Sequence, residues 1–347
     1  MDLVANLELG FAVAFSLKNL AYCFLGVTLG TLIGVLPGIG PVATIAMLLP
    51  ITFNLPPESA LIMLAGIYYG AQYGGSTSAI LVNIPGEASS VVTAMEGYQM
   101  ARQGRAGAAL SIAAIASFFA GCVGTLLIAA FAPPLASRAF KFGPPERCSL
   151  YVLGLVAAVV LAHGSLIKAL AMIVLGLLLG IIGTDVTSGT QRYTFGIANL
   201  SDGISFAIVA MGMFGIAEII RSLEIGTKRE VFTSSLSGLW PTRADLRASW
   251  KAILRGTGLG SLLGILPGGG AVLGSFASYT LEKKLAAPSS NFGKGAIQGV
   301  AGPEAANNAA AQTSFIPMLT LGIPSNPVMA LMVGPMLIQD IQPGPQG

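Results

Sequence analysis

Leu29–Gly40 reads LGTLIGVLPGIG and Leu259–Gly270 reads LGSLLGILPGGG, so a Leu-Pro-Gly break recurs 230 positions downstream with eight of twelve residues identical. A second Pro break follows each copy in a hydrophobic setting, Ile84-Pro85-Gly86 after the first and Ile323-Pro324-Ser325 after the second. The chemistry such breaks offer is backbone chemistry. Gly38 and Gly40 lead into Pro41, a residue suited to the first turn of a helix. Free N–H groups and the positive dipole end of that turn favour an anion by about 0.3–1 kcal/mol, or up to about 2 when partly buried. Gly268 and Gly270 offer the same without the proline, and Gly269 lets a backbone approach a ligand closely. The alternative is a Gly-Pro hinge that only kinks a helix.

Small polar residues stand close to both second breaks. Ser76 and Thr77 lie in Gly74-Gly75-Ser76-Thr77-Ser78, a few residues before Asn83. Their counterparts are Asn307, Asn308, Thr313 and Ser314, followed by Ser325 and Asn326, either of which would cap a helix beginning at Pro327. Hydroxyls, amides and freed carbonyls suit a carboxylate and also sodium, since hard cations take oxygen ligands. The competing role is interhelical hydrogen bonding, which is common in membrane bundles. Two adjacent Asn in the Ala-rich run Ala305–Ala311 resist that reading, because burying both amides unpaired is expensive. Charges near the apolar runs are few. Lys18, His163 and Lys168 read as interfacial, Glu218 as a partner for Arg221, and Glu304 as either a functional acid or an exposed helix N-terminal charge.

These residues need elements that hold broken backbone away from water. Hydrophobic residues make up 54% of the 347 and charged residues 10%, against about 25% charged in soluble domains. Several apolar stretches reach the roughly 20 residues that span a bilayer. The fold class expected is all-α: a polytopic helical membrane protein with two inverted repeats containing broken or re-entrant helices. Candidate spans fall at about 17–36, 41–53, 59–75, 107–132, 149–163, 166–183, 204–220, 250–266, 271–281 and 313–339. They divide the chain into a first transport repeat (1–106), intervening transmembrane helices (107–220), a cytoplasmic loop (221–250) and a second transport repeat (251–347).

Arg and Lys in Arg221–Lys251, and Arg102 with Arg105, put both segments on the cytoplasmic side by the positive-inside rule, while Arg138, Lys141 and Arg147 run against it. Each repeat meets a cytoplasmic loop at its opposite end, the arrangement of inverted repeats in an alternating-access carrier. Scattered Cys23, Cys122 and Cys148 indicate neither a metal cluster nor disulfides. The net charge of +3 is spread over loops and gives no nucleic-acid footprint. No P-loop, HExxH, GxSxG or G-x-G-x-x-G motif is present, so no enzyme activity and no resident cofactor are expected.

The same residues resemble one family, the large membrane subunit of the tripartite tricarboxylate transporters (the TctA family). The resemblance runs through GTLIGVLPGIGP, IYYGAQYGGSTSAILVNIPGE, TAMEGYQMARQG, LSDGISFAIVAMGMFGIAEI, GILPGGG, GVAGPEAANNAA and MLTLGIPSNPVMA to PGPQ. It implies a bacterial inner-membrane carrier that works with a small membrane subunit and a periplasmic solute-binding protein. It further implies import of small carboxylates such as citrate, driven by a gradient of Na+ or H+. Family members run on well beyond the PGP motif, so this chain reads as truncated and is expected to be inactive alone. GIPSN also stands where GIPG-type sequences are usual. The rival reading is a non-transporting scaffold or sensor for the periplasmic protein, and a passive channel is the third.

Overall fold

A computed structural model describes residues 3–36, 39–139, 165–184, 190–201, 239–266, 270–286, 291–338 and 341–344, with scattered positions between 143 and 220. Among the described residues the architecture is all-α, with one hairpin of two-residue strands pairing Gly183–Thr184 and Gln191–Arg192. In chain order the helices are α1 (Leu3–Ala14), α2 (Leu17–Gly34), α3 (Pro41–Leu48), α4 (Pro57–Val82), α5 (Ser90–Arg102), α6 (Ala106–Ala139), α7 (Leu166–Gly180), α8 (Arg243–Gly264), α9 (Gly270–Leu285), α10 (Gln298–Thr313), α11 (Phe315–Leu321) and α12 (Pro327–Ile338).

Glycine spacing decides how the long helices meet. A Cβ at Gly26, Gly30 or Gly34 of α2 would lie 2.3–2.4 Å from the carbonyl oxygen of Met63, Ile67 or Ala71 of α4. Only a hydrogen fits there, so the two backbones touch, as small-residue stripes allow in membrane helices. The contacts advance together along both helices, so α2 and α4 run parallel, and α3 is the return between them. The same pattern recurs with Gly256, Gly260 and Gly264 of α8 against the carbonyl oxygens of Gly302, Ala306 and Ala310 of α10. Every glycine is displaced by 230 positions and every carbonyl by 239.

α4 and α10 then cross one another in the opposite sense. Ser76 meets Glu304, Gln72 meets Asn307 and Tyr69 donates to Gln312, so one helix ascends in number as the other descends. Both helices end alike. Asn83, at φ 55° and ψ 29°, closes α4 in the left-handed conformation, and Gly322, at φ 71° and ψ 17°, closes α11, again 239 positions on. Left-handed caps satisfy the last carbonyls and commonly precede a proline, here Pro85 and Pro324. One apolar core joins the two halves through Ile45, Leu64, Met318, Met329 and Met332. Another packs α5, α6, α8 and α10 through Met100, Ile112, Ala116 and Val300.

Among the described residues, α2 and α6 are long and apolar enough to cross a membrane, while α3 with its following turn, α7 and α12 are shorter apolar helices. No residue of α7 is buried, and Leu170, Val174 and Leu177 are exposed on it. The expected span at 59–75 extends through Val82, and that at 313–339 is interrupted between Leu321 and Pro327. α10 corresponds to none of the expected spans, yet it is buried almost throughout. Its Ala, Gly and Asn residues carry little hydropathy, and neighbouring helices cover it on all sides.

Candidate functional site

The chain breaks bring four helix starts to one place. A cavity of about 250 Å³ is lined by Gly40, Pro41 and Val42 at the start of α3 and by Ala271 and Val272 at the start of α9. Glu87, Ala88 and Ser89 before α5, Asn326, Pro327 and Val328 at the start of α12, and Tyr68 from α4 complete the wall. Ten of these residues fall into pairs at the two displacements already met: Pro41 with Ala271, Val42 with Val272, Glu87 with Asn326, Ala88 with Pro327, and Ser89 with Val328. Tyr68 corresponds to Asn307, which donates from Nδ2 to Glu87 Oε1 at 3.1 Å.

The first turn of a helix has N–H groups without intrahelical partners, and its dipole end is positive. At α12 one of them is taken, since Met329 N donates to Asn326 Oδ1 at 2.9 Å. Of the two caps expected here, Ser325 and Asn326, it is Asn326 that caps the helix. Glu87 is the one carboxylate on the wall. Its Oε1 accepts from Ser89 Oγ at 2.5 Å and from Asn307 Nδ2. Among the described residues the wall contains no Lys, Arg or His.

Behind the cavity lies a buried polar layer centred on Glu304, which is 1% exposed. Ser76 Oγ and Thr93 Oγ1 donate to its Oε1 at 2.7 and 2.5 Å, and Ser117 Oγ lies 3.4 Å from Oε2. Asn308 Nδ2 donates to Ser117 Oγ at 2.7 Å and to the Glu304 carbonyl at 3.0 Å. Gln72 Nε2 donates to Asn307 Oδ1 at 3.0 Å, which ties this layer to Glu87 through Asn307. Glu304 is thus an interior acid held from α4, α5 and α6, not an exposed helix-end charge.

The residues singled out in the sequence divide accordingly. Gly40 lines the cavity, and Gly270, at φ 33°, stands beside Asn326 and Ser314 at the start of α9. Gly38 and Gly268 lie outside the described residues. Ser76, Asn307 and Asn308 belong to the polar layer. Thr77 and Thr313 bond back to the Tyr73 and Ala309 carbonyls, and Thr313 also packs on Gly264. Asn83 is an exposed helix cap, and buried Ser325 lies 3.4 Å from the Ser314 carbonyl. Sequence reasoning missed Glu87, Ser89, Val42, Val272 and Tyr68 as wall residues. Superposing NIPGE on GIPSN would have set Glu87 over Asn326.

A larger cavity, about 410 Å³, opens between α8, α9 and the 291–297 turn, where Arg105, Asp245, Lys251, Arg255 and Glu282 line it. Its charges are mostly paired. Arg255 grips Glu282 with two bonds of 2.7 and 2.6 Å, and Arg105 meets Asp245 at 2.5 Å. Burial alone would raise the Asp245 carboxyl, but hydrogen bonds from Thr242 and the Arg105 guanidinium outweigh it and hold the group below the ordinary carboxylate range. This cavity reads as a braced end of the bundle, so the smaller one at the breaks is the candidate site.

A helical bundle whose paired chain breaks enclose a small cavity has the build of a membrane transport protein's core. The chain belongs to the tripartite tricarboxylate transporter TctA family, whose model matches residues 20–347. That family is one of transporters and implies a membrane location within a tripartite system. Among its relatives is an uncharacterized 52.8 kDa protein in the TAR-I ttuC' 3' region of Agrobacterium vitis, 62% identical over 345 residues, which are 99% of this chain and 69% of that protein. Another, an uncharacterized protein in the TAR-II ttuC' 3' region of the same organism, is 71% identical over 86 residues, 25% of this chain and 36% of that protein. No solved structure matches.

Proposed function

We propose that this chain is the carrier subunit of a binding-protein-dependent secondary transporter in a bacterial inner membrane. It imports small carboxylates of the citrate type, driven by an ion gradient, and the cavity at the breaks is the substrate site. The observation that carries this reading is the pairwise-matched wall: two separate pairs of chain breaks, far apart in sequence, meet around one space. At about 250 Å³ the space lies below the roughly 300–1,000 Å³ of drug-sized pockets and suits a small metabolite. Helix starts from α3, α9 and α12 offer dipole ends to an anion, each worth about 0.3–1 kcal/mol and more when partly buried.

The parallel pairs α2/α4 and α8/α10, crossed in opposite senses, support two inverted copies of one unit, and between two such copies the cavity would lie near the membrane midplane. Arg105 paired with Asp245 joins the α5–α6 turn to the start of α8, and Gln103 bonded to the Lys294 carbonyl joins it to the turn before α10, at one end of the bundle. That supports a common, cytoplasmic side for both basic segments. In the tripartite system a periplasmic solute-binding protein would deliver the substrate, and a small membrane subunit would complete the carrier.

Uptake into proteoliposomes containing the carrier, its small subunit and the solute-binding protein tests the reading. A panel of citrate, isocitrate, succinate and malonate should show saturable uptake of at least one member. Val42→Trp and Val272→Trp, which fill the cavity from opposite halves, should each abolish it. Wild-type rates in both variants would move the substrate site elsewhere.

A further inference from the structure

The cavity wall is symmetric in position but not in charge. At one matched position the first half places Glu87 and the second half places Asn326. The groups facing Glu87 from each neighbouring element can be named. α4 brings Tyr68, and α10 brings Asn307 and, within electrostatic reach, Glu304. α3, α9 and α12 bring Gly40, Pro41, Val42, Ala271, Val272, Asn326, Pro327 and Val328, none of which ionises. Among the described residues no Lys, Arg or His forms an ion pair with Glu87 or Glu304. Both hydrogen bonds to the Glu87 carboxylate go to Oε1.

A carboxylate ligand entering this space therefore meets a second carboxylate with no protein cation between them. Like charges at contact repel strongly in a partly dry site.

We infer that Glu87 is the coupling site of the carrier: it binds one monovalent positive charge, a proton on its carboxyl or an alkali ion against it, and that charge must be in place for the substrate anion to stay. The inference rests on the carboxylate reading of the cavity. Because linkage is reciprocal, the cation strengthens substrate binding by the factor that substrate strengthens cation binding. With the cation in place the loaded site carries only the substrate's own charge, whereas the substrate alone shares the space with an uncompensated Glu87 carboxylate. Asn326, the amide at the matched position of the other half, accepts from Met329 N, gives one Nδ2 hydrogen to Ser314 Oγ and has its second Nδ2 hydrogen left for the substrate. The same scaffold position thus serves the cation in one half and the anion in the other.

The test uses the assembled carrier in proteoliposomes and whichever member of the carboxylate panel the wild type takes up, with pH and sodium gradients imposed separately. The gradient that drives wild-type accumulation identifies the charge as proton or sodium. Glu87→Gln removes the carboxylate without changing its size. It should abolish gradient-driven accumulation while retaining exchange of internal for external substrate, and exchange should no longer depend on the driving cation. Asn326→Asp adds the second carboxylate and keeps Glu87. A second carboxylate beside the first should make uptake require a second cation, read as a steeper dependence on cation concentration, and that readout stands even if Glu87→Gln fails to fold.

Wild-type protein that takes up none of the panel overturns the carboxylate reading and this inference with it. Wild-type uptake, with Glu87→Gln still accumulating substrate against its gradient or Asn326→Asp unchanged in its cation requirement, overturns this inference alone.

Discussion

Replacing Gly30 by Ala would place a methyl group 2.3 Å from the Ile67 carbonyl oxygen, and replacing Gly260 would place one 2.2 Å from that of Ala306. Neither obstacle can rotate away, because each is backbone in the middle of a helix. Restoring ordinary contact requires α2 to part from α4, or α8 from α10, by about 1 Å. Overpacking of this kind costs about 1–3 kcal/mol, and exchanging a helical Gly for Ala returns about 0.8–1 kcal/mol. The expected net loss is about 0–2 kcal/mol for each variant. Gly258 is the control, since a Cβ there meets nothing within 4 Å. Gly258→Ala should leave stability unchanged or raise it by up to about 1 kcal/mol.

Thermal inactivation half-lives of the purified protein in detergent report the differences, because membrane proteins seldom unfold reversibly. The parting should also reach the cavity. A Cβ at Gly86 would lie 2.9 Å from the Gly34 carbonyl oxygen, so the end of α2 buttresses the loop that carries Glu87. Uptake should therefore fall in Gly30→Ala by more than its stability loss explains. If Gly30→Ala and Gly260→Ala differ in sign, or if either matches Gly258→Ala, the equivalence of the two helix pairs is refuted.

Other expected outcomes follow from single contacts. Thr242 and Asp245 form a reciprocal cap at the start of α8, so Thr242→Ala should cost about 0.5–2 kcal/mol, measured by the same inactivation assay. The Asp245 carboxyl is held below its ordinary value, so its contribution is present above the unfolded value of about 3.9 and is lost as pH falls through the lower folded value. The stability gap between wild type and Asp245→Asn should accordingly close below about pH 4 in a pH series. Glu96 accepts backbone N–H bonds from Gly293, Gly295 and Ala296 and the Tyr279 hydroxyl, so Glu96→Gln should speed hydrogen exchange across residues 291–297 while leaving α2 and α4 protected. Glu304→Ala strands Ser76 and Thr93 and should cost at least about 1–3 kcal/mol, with the loss visible as a lower expression yield and a shorter half-life.

The repeated Leu-Pro-Gly segments were legible because a break at membrane depth has few tolerable environments, and their duplication pointed to the place where the cavity lies. The polar residues beside the breaks were legible as a group but not by role. Ser76 and Asn307 look alike in sequence to Thr77 and Thr313, yet the former pair across α4 and α10 and the latter bond back into their own helices. Only the crossing of the two helices separates them, and no local pattern encodes that crossing. α10 escaped notice for a related reason: hydropathy detects helices that face lipid, and this one faces other helices.

Glu87 shows why matched positions inform more than motifs do. As the last letter of NIPGE it reads as a loop acid, one among fifteen acidic residues. Set against Asn326 it becomes the single place where the cavity's two walls differ by a charge. Glu87 is one methylene longer than Asn326, but it is the carboxylate and not the extra carbon that sets the two walls apart electrostatically. A wall built twice from one pattern would bind a symmetric neutral ligand equally from both sides. A carboxylate in place of one amide would make the site favour an anion accompanied by a cation, which is the pairing that the proposed coupling role of Glu87 calls for.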